Sequence, residues 1–458
     1  MDRDTITAIS TGMTNSGIGI VRVIGSKSFE IADKIIKSSK KITELPSHTI
    51  NYAHVVDGED MIDEVLVSVM RAPKTYTGED TVEINCHGGS FVMNKTLGLL
   101  ITNGARLAQP GEITKRAFLN GKMDLSQSEA VIDIINAKND YALKNSIHQL
   151  KGSIKKKVCR WRDEIVYQTA IIEAMLDDPE NYDDQGYATR LKEIVDKIIK
   201  EMEEMILKSD EGRVLTEGIQ TVIVGKPNVG KSSLLNTLVG KERAIVTNIE
   251  GTTRDALEEK INIAGLSLNV VDTAGIRETD DIIEKIGVDR AREYVKSSDL
   301  VIYVIDASIP LDSNDENIVS FIAGKKCIVL LNKSDLKIVV DKEMVKRKLA
   351  TNLFPIIEIS AKEETGIENF EKALKDMFDK GLIDFDEEVL ISNLRQKEAL
   401  VHALISLQKV AESITAGLPE DFFGIDLMDA YESLGKIIGE TIGEDLVHEI
   451  FGKFCVGK

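Results

Sequence analysis

The rhythm of apolar and polar positions changes three times along this chain. Residues 5–9, 18–24, 61–70 and 81–86 are short apolar and β-branched runs that predict strands, and 28–36 has the spacing of a helix. Gly12, Gly17, Gly88-Gly89 and Pro110-Gly111 mark turns among them. The opening stretch thus predicts a mixed α+β domain. From 126 to about 208, apolar residues recur at spacings of three and four, as at Ile132, Ile135, Leu143, Ile147 and Leu150, which predicts long helices. Only Gly152, Pro179 and Gly186 interrupt them, and the acidic, turn-rich stretch 177–186 predicts a connection between two helices.

Residues 219–224, 269–271, 300–305 and 327–331 are apolar runs separated by helical patterns. Strands buried on both faces read this way, so a doubly wound α/β domain is expected. Helical periodicity returns at Val389. The fold class expected is multidomain: an α+β amino-terminal domain at 1–120, an α-helical domain from two discontinuous segments, 121–215 and 381–458, and an α/β domain inserted between them at 216–380.

Composition narrows the setting. A single core rarely serves 458 residues, so two to four domains are expected. With 43% hydrophobic and 29% charged residues the chain reads as soluble and globular. A formal charge of −19 argues against nucleic-acid binding over most of the surface, while leaving room for a local basic patch or a basic partner. No apolar run is long enough to cross a bilayer, and Met1-Asp2-Arg3-Asp4 lacks the basic-then-apolar order of a secretory signal. Cys86, Cys159, Cys327 and Cys455 stand far apart without CxxC spacing. A zinc site or disulfide framework is therefore not expected, and a reducing cytoplasm is.

The chemistry is concentrated in the α/β segment. Gly225-Lys226-Pro227-Asn228-Val229-Gly230-Lys231-Ser232 has the glycine, lysine and hydroxyl spacing of a phosphate-binding loop, after one strand and before a helix at 233–238. Its glycines let backbone N–H groups close around phosphate oxygens, and the positive end of the helix, opened by Ser232 and Ser233, faces them. Lys231 can reach the β- and γ-phosphates, and the Ser232 hydroxyl can ligate Mg²⁺. In Asp272-Thr273-Ala274-Gly275, Asp272 can hold Mg²⁺ through water and the Gly275 N–H can sense the γ-phosphate. In Asn332-Lys333-Ser334-Asp335, the Asp335 carboxylate can accept from both guanine N1–H and the exocyclic amine, a donor pair adenine lacks. Ser360-Ala361-Lys362 can buttress the base. Together these predict a Ras-like G domain that binds and hydrolyses GTP. Gly251-Thr252-Thr253-Arg254-Asp255 falls where switch I belongs, with Thr253 as a donor to Mg²⁺ and the γ-phosphate. Position 276 is Ile, where Ras-type enzymes place the Gln that orients water. Glu278, Asp280, Asp281 and Glu284 are the candidates to replace it, and spacing does not choose among them.

Beyond these motifs the whole chain resembles the MnmE (TrmE) family of bacterial tRNA modification GTPases. The resemblance is carried by the domain order and by Gly251–Asp255. It is carried also by Tyr76-Thr77-Gly78-Glu79-Asp80 with Glu83 and His87-Gly88-Gly89, by Pro110-Gly111-Glu112, by Arg116 through Lys122, and by the closing Cys455-Val456-Gly457-Lys458. It implies work with an FAD-dependent MnmG-like partner in a heterotetramer. The pair would add an aminomethyl or carboxymethylaminomethyl group at carbon 5 of the wobble uridine of certain tRNAs. The one-carbon unit would come from a tetrahydrofolate derivative (5-formyl- or 5,10-methylene-tetrahydrofolate). A homodimer, and K⁺-stimulated hydrolysis on G-domain dimerisation, are implied too. Asn228, Thr247, Ile249 and Thr252 match the family's K⁺ ligands, and Glu284 matches its water-orienting acid. Arg22, Glu83, Lys122 and Lys458 match its folate positions: an acid suits a pterin's amine and ring N–H, and bases suit the folate's glutamate tail. The loop 11–17 departs from the Pro- and Gly-rich string of the family.

Cys455 lies beside Lys453 and Lys458, whose charge favours a thiolate, so it is a catalytic candidate; a small buried hydrophobe is the alternative. Lys151, Lys155, Lys156, Lys157, Arg160 and Arg162 form the most basic run, read as a solvated helix face ahead of a tRNA contact, with Trp161 as core. Two other functions fit the GTP motifs. A stand-alone regulatory GTPase, such as a ribosome-assembly factor, leaves the terminal and folate-like strings unexplained. A membrane-remodelling GTPase calls for a basic amphipathic helix that the chain lacks.

Overall fold

The computed structural model describes residues 4–178, 186–241, 258–272, 292–349, 354–379, 391, 393–440, 443, 447, 450–452, 454 and 457. The chain divides into two compact units, one of residues 1–132, 150–169 and 431–458, the other of 133–149 and 170–430.

The first unit is built on a seven-stranded sheet in the order β3-β4-β5-β6-β2-β1-β7. Its strands are β1 (Ile6–Ile9), β2 (Ser16–Ile24), β3 (Ile36–Ser38), β4 (Thr49–Asp57), β5 (Asp60–Met70), β6 (Thr81–Gly88) and β7 (Arg106–Leu107). All neighbours are antiparallel except β1 and β7. Burial alternates along β5, as period-two side chains on a sheet with one covered face require. Val21, Val23, Val55, Val67, Val82 and Ile84 pack against α1 (Ser28–Ile35) and α2 (Ser90–Thr102). On the other face Ile6, Ala8 and Ile24 meet Ile113 of α3 (Glu112–Leu119). The closing segment belongs to this unit: Leu125, Val447, Ile450, Phe451 and Phe454 form one cluster, with the Phe118 and Phe451 rings 6.1 Å apart.

Of these elements the apolar pattern predicted β1, β2, β5, β6 and α1. It did not single out β4, α2 or α3. The helix α2 reads SFVMNKTLGLLIT, apolar on nearly every side, so no stripe marks it.

Helices α4 (Leu125–Asn136), α5 (Asp140–Leu150), α6 (Ser153–Asp177) and α7 (Tyr187–Glu217) follow. The break between α6 and α7 falls in the expected acidic stretch, whereas that between α4 and α5, at residues 137–139, carries neither glycine nor proline. Trp161 is core, as expected, and Arg162 stacks 4.0 Å over the Tyr431 ring and pairs with Glu440 rather than facing solvent. Ile135 and Leu143 are exposed, while Ala142, Ser146 and Gln149 form the buried face of α5.

In the second unit a six-stranded sheet runs β13-β12-β11-β8-β10-β9. It comprises β8 (Ile219–Val224), β9 (Glu258–Ile263), β10 (Leu266–Asp272), β11 (Leu300–Asp306), β12 (Cys327–Asn332) and β13 (Ile356–Glu358), parallel but for the β9–β10 hairpin. Every residue of β11 and β12 is buried, which is why both read as unbroken apolar runs. One face packs against α8 (Lys231–Lys241) and α11 (Ile367–Asp379), the other against α9 (Ser313–Ile322) and α10 (Lys342–Leu349). Two long helices, α7 and α12 (Leu394–Thr415), pack along one another, and Gln408 of one donates to Glu203 of the other at 3.4 Å. The chain then turns into α13 (Asp421–Ile438). No helix among the described residues is long and apolar enough to cross a membrane.

Candidate functional site

The loop between β8 and α8 shows why its glycines are glycines. Gly225 and Gly230 have φ of +154° and +99°, and a Cβ at either would overlap the Val304 carbonyl oxygen or the Asn332 side-chain nitrogen respectively. Asn228 adds a third left-handed turn at φ 61°. Successive reversals of this kind turn backbone N–H groups inward, and they lead into the N-terminus of α8. Val229 is buried and anchors the loop to the core. The Lys231 ammonium donates to the carbonyls of Gly225 and Lys226, both at 2.8 Å, so the charge lies within the loop's own curve. Ser232 and Ser233 stand exposed in the first turn of α8. A cationic lysine, a helix N-terminus and an exposed hydroxyl suit an anion accompanied by a hard cation.

Asn332, buried at the end of β12, joins this loop to the next motif. Its Nδ2 donates to the Val229 carbonyl at 2.8 Å, and its Oδ1 accepts from the Ala361 N–H at 3.0 Å. The Thr237 hydroxyl of α8 donates to the Ala361 carbonyl at 2.9 Å, closing the ring of contacts. Lys333 takes φ 65° and places its ammonium 2.6 Å from Asp306 at the end of β11. Burial opposes ionisation of Asp306, but the bonds from Lys333 and Ser308 outweigh it and hold the carboxyl below its ordinary value. Asp335 accepts from the Ser360 hydroxyl at 2.6 Å; that bond, with the nearby Lys362 and Lys333 charges, keeps its carboxyl low as well. Asp335 is thus an oriented anion with acceptor capacity to spare. Lys362 itself is exposed.

The structure therefore gathers Val229, Gly230, Asn332, Asp335, Ser360 and Ala361. Asp272 ends β10 in register with Ile223 of β8, one strand over from the phosphate loop. Thr247, Ile249, Thr252, Thr253, Thr273, Ala274, Gly275, Ile276, Glu278, Asp280, Asp281, Glu284, Cys455 and Lys458 lie outside the described residues.

The other candidate cluster sits on the first unit's sheet. Arg22 and Glu83 are cross-strand partners on β2 and β6, joined by an Arg22 Nε bond of 2.8 Å, each about one-fifth exposed. Lys122 donates to the Pro73 carbonyl at 3.0 Å and lays its stem against Gly78, in the segment that leads to Glu83. The closing tail reaches the same sheet. Gly457, at φ +97°, packs so tightly on Ile9 that a Cβ would overlap its carbonyl oxygen. Ile9 follows Ala8, the β1 partner of Arg22.

Two hydrogen-bonded clusters that spacing did not reveal hold residues of the amino-terminal motifs. Buried Arg116 donates to Glu79 at 3.0 Å, to Glu112 at 3.2 Å and to Asp4 at 2.8 Å, while Asn120 Nδ2 donates to Glu79 at 3.0 Å. His87 shares a 2.6 Å bond through Nδ1 with buried Asp63, whose other oxygen accepts the His87 backbone N–H at 2.8 Å. A cavity of about 610 Å³ opens beside the Arg116 network, lined in part by Asp4, Glu112, Lys115 and Phe451. Neither Arg22, Glu83 nor Lys122 lines it.

Comparison with known proteins covers almost the whole chain. Residues 5–122 match the family model described as the GTP-binding protein TrmE N-terminus, and residues 125–455 match that of the MnmE helical domain. The tRNA modification GTPase MnmE of Lachnoclostridium phytofermentans is 53% identical over 461 residues, covering 100% of both chains. The proteins of the same description from Acetivibrio thermocellus and Clostridioides difficile are 47% and 45% identical, each covering 99% of both chains. With a GTP hydrolase's phosphate and guanine motifs assembled on its α/β sheet, this chain belongs to the MnmE family of tRNA modification GTPases.

Proposed function

We propose that this GTPase couples hydrolysis to modification of the wobble uridine of certain tRNAs. With an FAD-dependent MnmG-like partner in a heterotetramer, it adds an aminomethyl or carboxymethylaminomethyl group at carbon 5, drawing the one-carbon unit from a tetrahydrofolate derivative. One observation carries the folate half of this reading: the packing of Gly457 on Ile9 brings the closing segment to the strand that flanks Arg22 and Glu83. Arg22 and Glu83 supply an anion for a pterin's donors and a cation for a carboxylate, and partial exposure leaves both within a ligand's reach. Lys122 and Lys458 complete the proposed set. The protein acts as a homodimer in the cytoplasm.

At the nucleotide, Ser232, Thr253 and, through water, Asp272 would hold Mg²⁺. Asn228, Thr247, Ile249 and Thr252 would hold K⁺; Asn228 fits, since it stands exposed on the loop's rim with a neutral amide oxygen to offer. When bound, the two cations neutralise charge that builds on the phosphates. The residues do the rest: the loop N–H groups and Lys231 orient the phosphates, Asp335 selects guanine, Glu284 orients water, and Cys455 is kept as a thiolate candidate. Calorimetric titration of 5-formyltetrahydrofolate tests the folate reading. Binding is expected for the wild type and lost in Arg22→Ala; no heat from the wild type would sink it.

A further inference from the structure

The second residue of the phosphate loop is held from behind. Lys226 donates its ammonium to Asp315 at 2.8 Å and to Asp312 at 3.1 Å, while its own backbone carbonyl receives the Lys231 ammonium at 2.8 Å. One residue thus links the cap of α9 and a carboxylate of its first turn to the lysine that serves the phosphates. We propose that Asp315 is a positioning residue for nucleotide binding, acting through Lys226 to fix the first peptide units of the loop. The proposal rests on the reading of residues 225–232 as the phosphate cradle.

Asp315 is built into the core for this task. Its side chain is 1% exposed. One oxygen accepts from the Tyr303 hydroxyl at 2.8 Å, and the other from Lys226 and from the Asp312 N–H at 2.9 Å. Tyr303 is itself fully buried, in the middle of β11 and paired in register with Val224, the last residue before the loop. Asp312 caps α9 in a reciprocal capping box with Asp315, so both carboxylates are placed by the helix terminus before they meet Lys226. Lys226 is pulled two ways: burial disfavours its charge, but the bonds to Asp315 and Asp312 outweigh that and raise its pKa. A buried carboxylate is costly, and an apolar pair of similar volume often stabilises as well or better. What an apolar pair lacks is direction. The fork of Asp315 sets where the Lys226 stem leaves the backbone, and hence where the carbonyls of Gly225 and Lys226 point. Both carbonyls accept from the Lys231 ammonium.

A device of this kind acts on GTP and GDP alike, because it shapes the cradle and not the attack on the γ-phosphate. It therefore changes affinity and leaves turnover at saturation unchanged. Losing a bond to a charged group at this point is expected to weaken both nucleotides by about tenfold. The experiment measures dissociation of a fluorescent GDP analogue, the GTP dissociation constant and kcat in the full-length protein. Asp315→Asn and Lys226→Met should each speed dissociation and weaken affinity, and Asp315→Asn, which lies outside the loop, should retain kcat. The double variant should add little to either, and Lys226→Arg should restore wild-type behaviour. Lys226→Met, which alters a loop residue and leaves Tyr303 bonded to Asp315, stands in if Asp315→Asn does not fold. Lower thermal stability with wild-type affinity and dissociation rate would overturn the proposal and leave the bridge purely structural. Lys231→Ala separates the two readings: if it binds GTP as the wild type does, the cradle reading itself is wrong.

Discussion

The side-chain amide of Asn332 donates to the carbonyl of Val229 at 2.8 Å, across 103 residues of chain. The same side chain accepts the Ala361 N–H, so one buried amide holds the phosphate loop and the base-side loop at a fixed separation. Replacing it by Ala leaves a buried carbonyl and a buried N–H without their partner. Asn332→Ala should cost about 1–3 kcal/mol of stability and weaken GTP binding beyond that loss. Thermal unfolding with and without GTP checks this; equal ligand-induced stabilisation in both proteins would show that the bridge does not serve the site.

Asp335 invites a test of specificity. Its carboxylate, oriented by Ser360, can accept two N–H groups from guanine, whereas xanthine presents one N–H and one carbonyl at the same edge. Asn offers one acceptor and one donor. Asp335→Asn should therefore lower GTP affinity and raise that for XTP, inverting the wild-type order. Competition binding with the two nucleotides measures it, and an unchanged ranking would remove Asp335 from base recognition.

The proposed cation role of Asn228 predicts a salt effect of a specific kind. Hydrolysis should be markedly faster in KCl than in NaCl at equal ionic strength, and Asn228→Ala should abolish the difference while retaining GTP binding. Equal wild-type rates in the two salts would end the assignment.

His87 gives a pH signature. Its bond to Asp63, together with the attraction of that carboxylate, raises its pKa above the ordinary 6.5. Because the folded value lies above the unfolded one, the pair's contribution is fully present below pH 6.5 and fades as pH rises through the raised folded value. NMR titration of the His87 ring should show the elevated midpoint, and Asp63→Asn should return it toward 6.5. A midpoint unmoved by the substitution would mean that another group holds the imidazole.

The central strands of the second unit's sheet were legible because β11 and β12 are buried along their whole length and stay apolar up to their closing Asp306 and Asn332, whereas the edge strand β9, which alternates in burial, was not singled out. The strand β4 was missed although TINYAHVVD alternates in burial, since Asn51, Tyr52 and His54 dilute the apolar signal. Helix α5 was found by period, yet Leu143 points outward and Ser146 inward: periodicity finds a helix more surely than its buried face.

What the chain declares by itself is chemistry carried by consecutive residues. Gly225 through Ser232 can be read as a cradle because backbone reversal, lysine and hydroxyl all lie within one turn of loop and one turn of helix. Asp335 can be read as a guanine acceptor for a similar reason. What only the tertiary structure decided is which distant groups hold those residues in place. Asn332 on Val229, Asp315 on Lys226, Glu83 on Arg22 and Gly457 on Ile9 all join positions that no spacing rule connects. Hydrogen bonds and close contacts act over a few ångströms in space, and strand pairing and register choose which residues come within that reach.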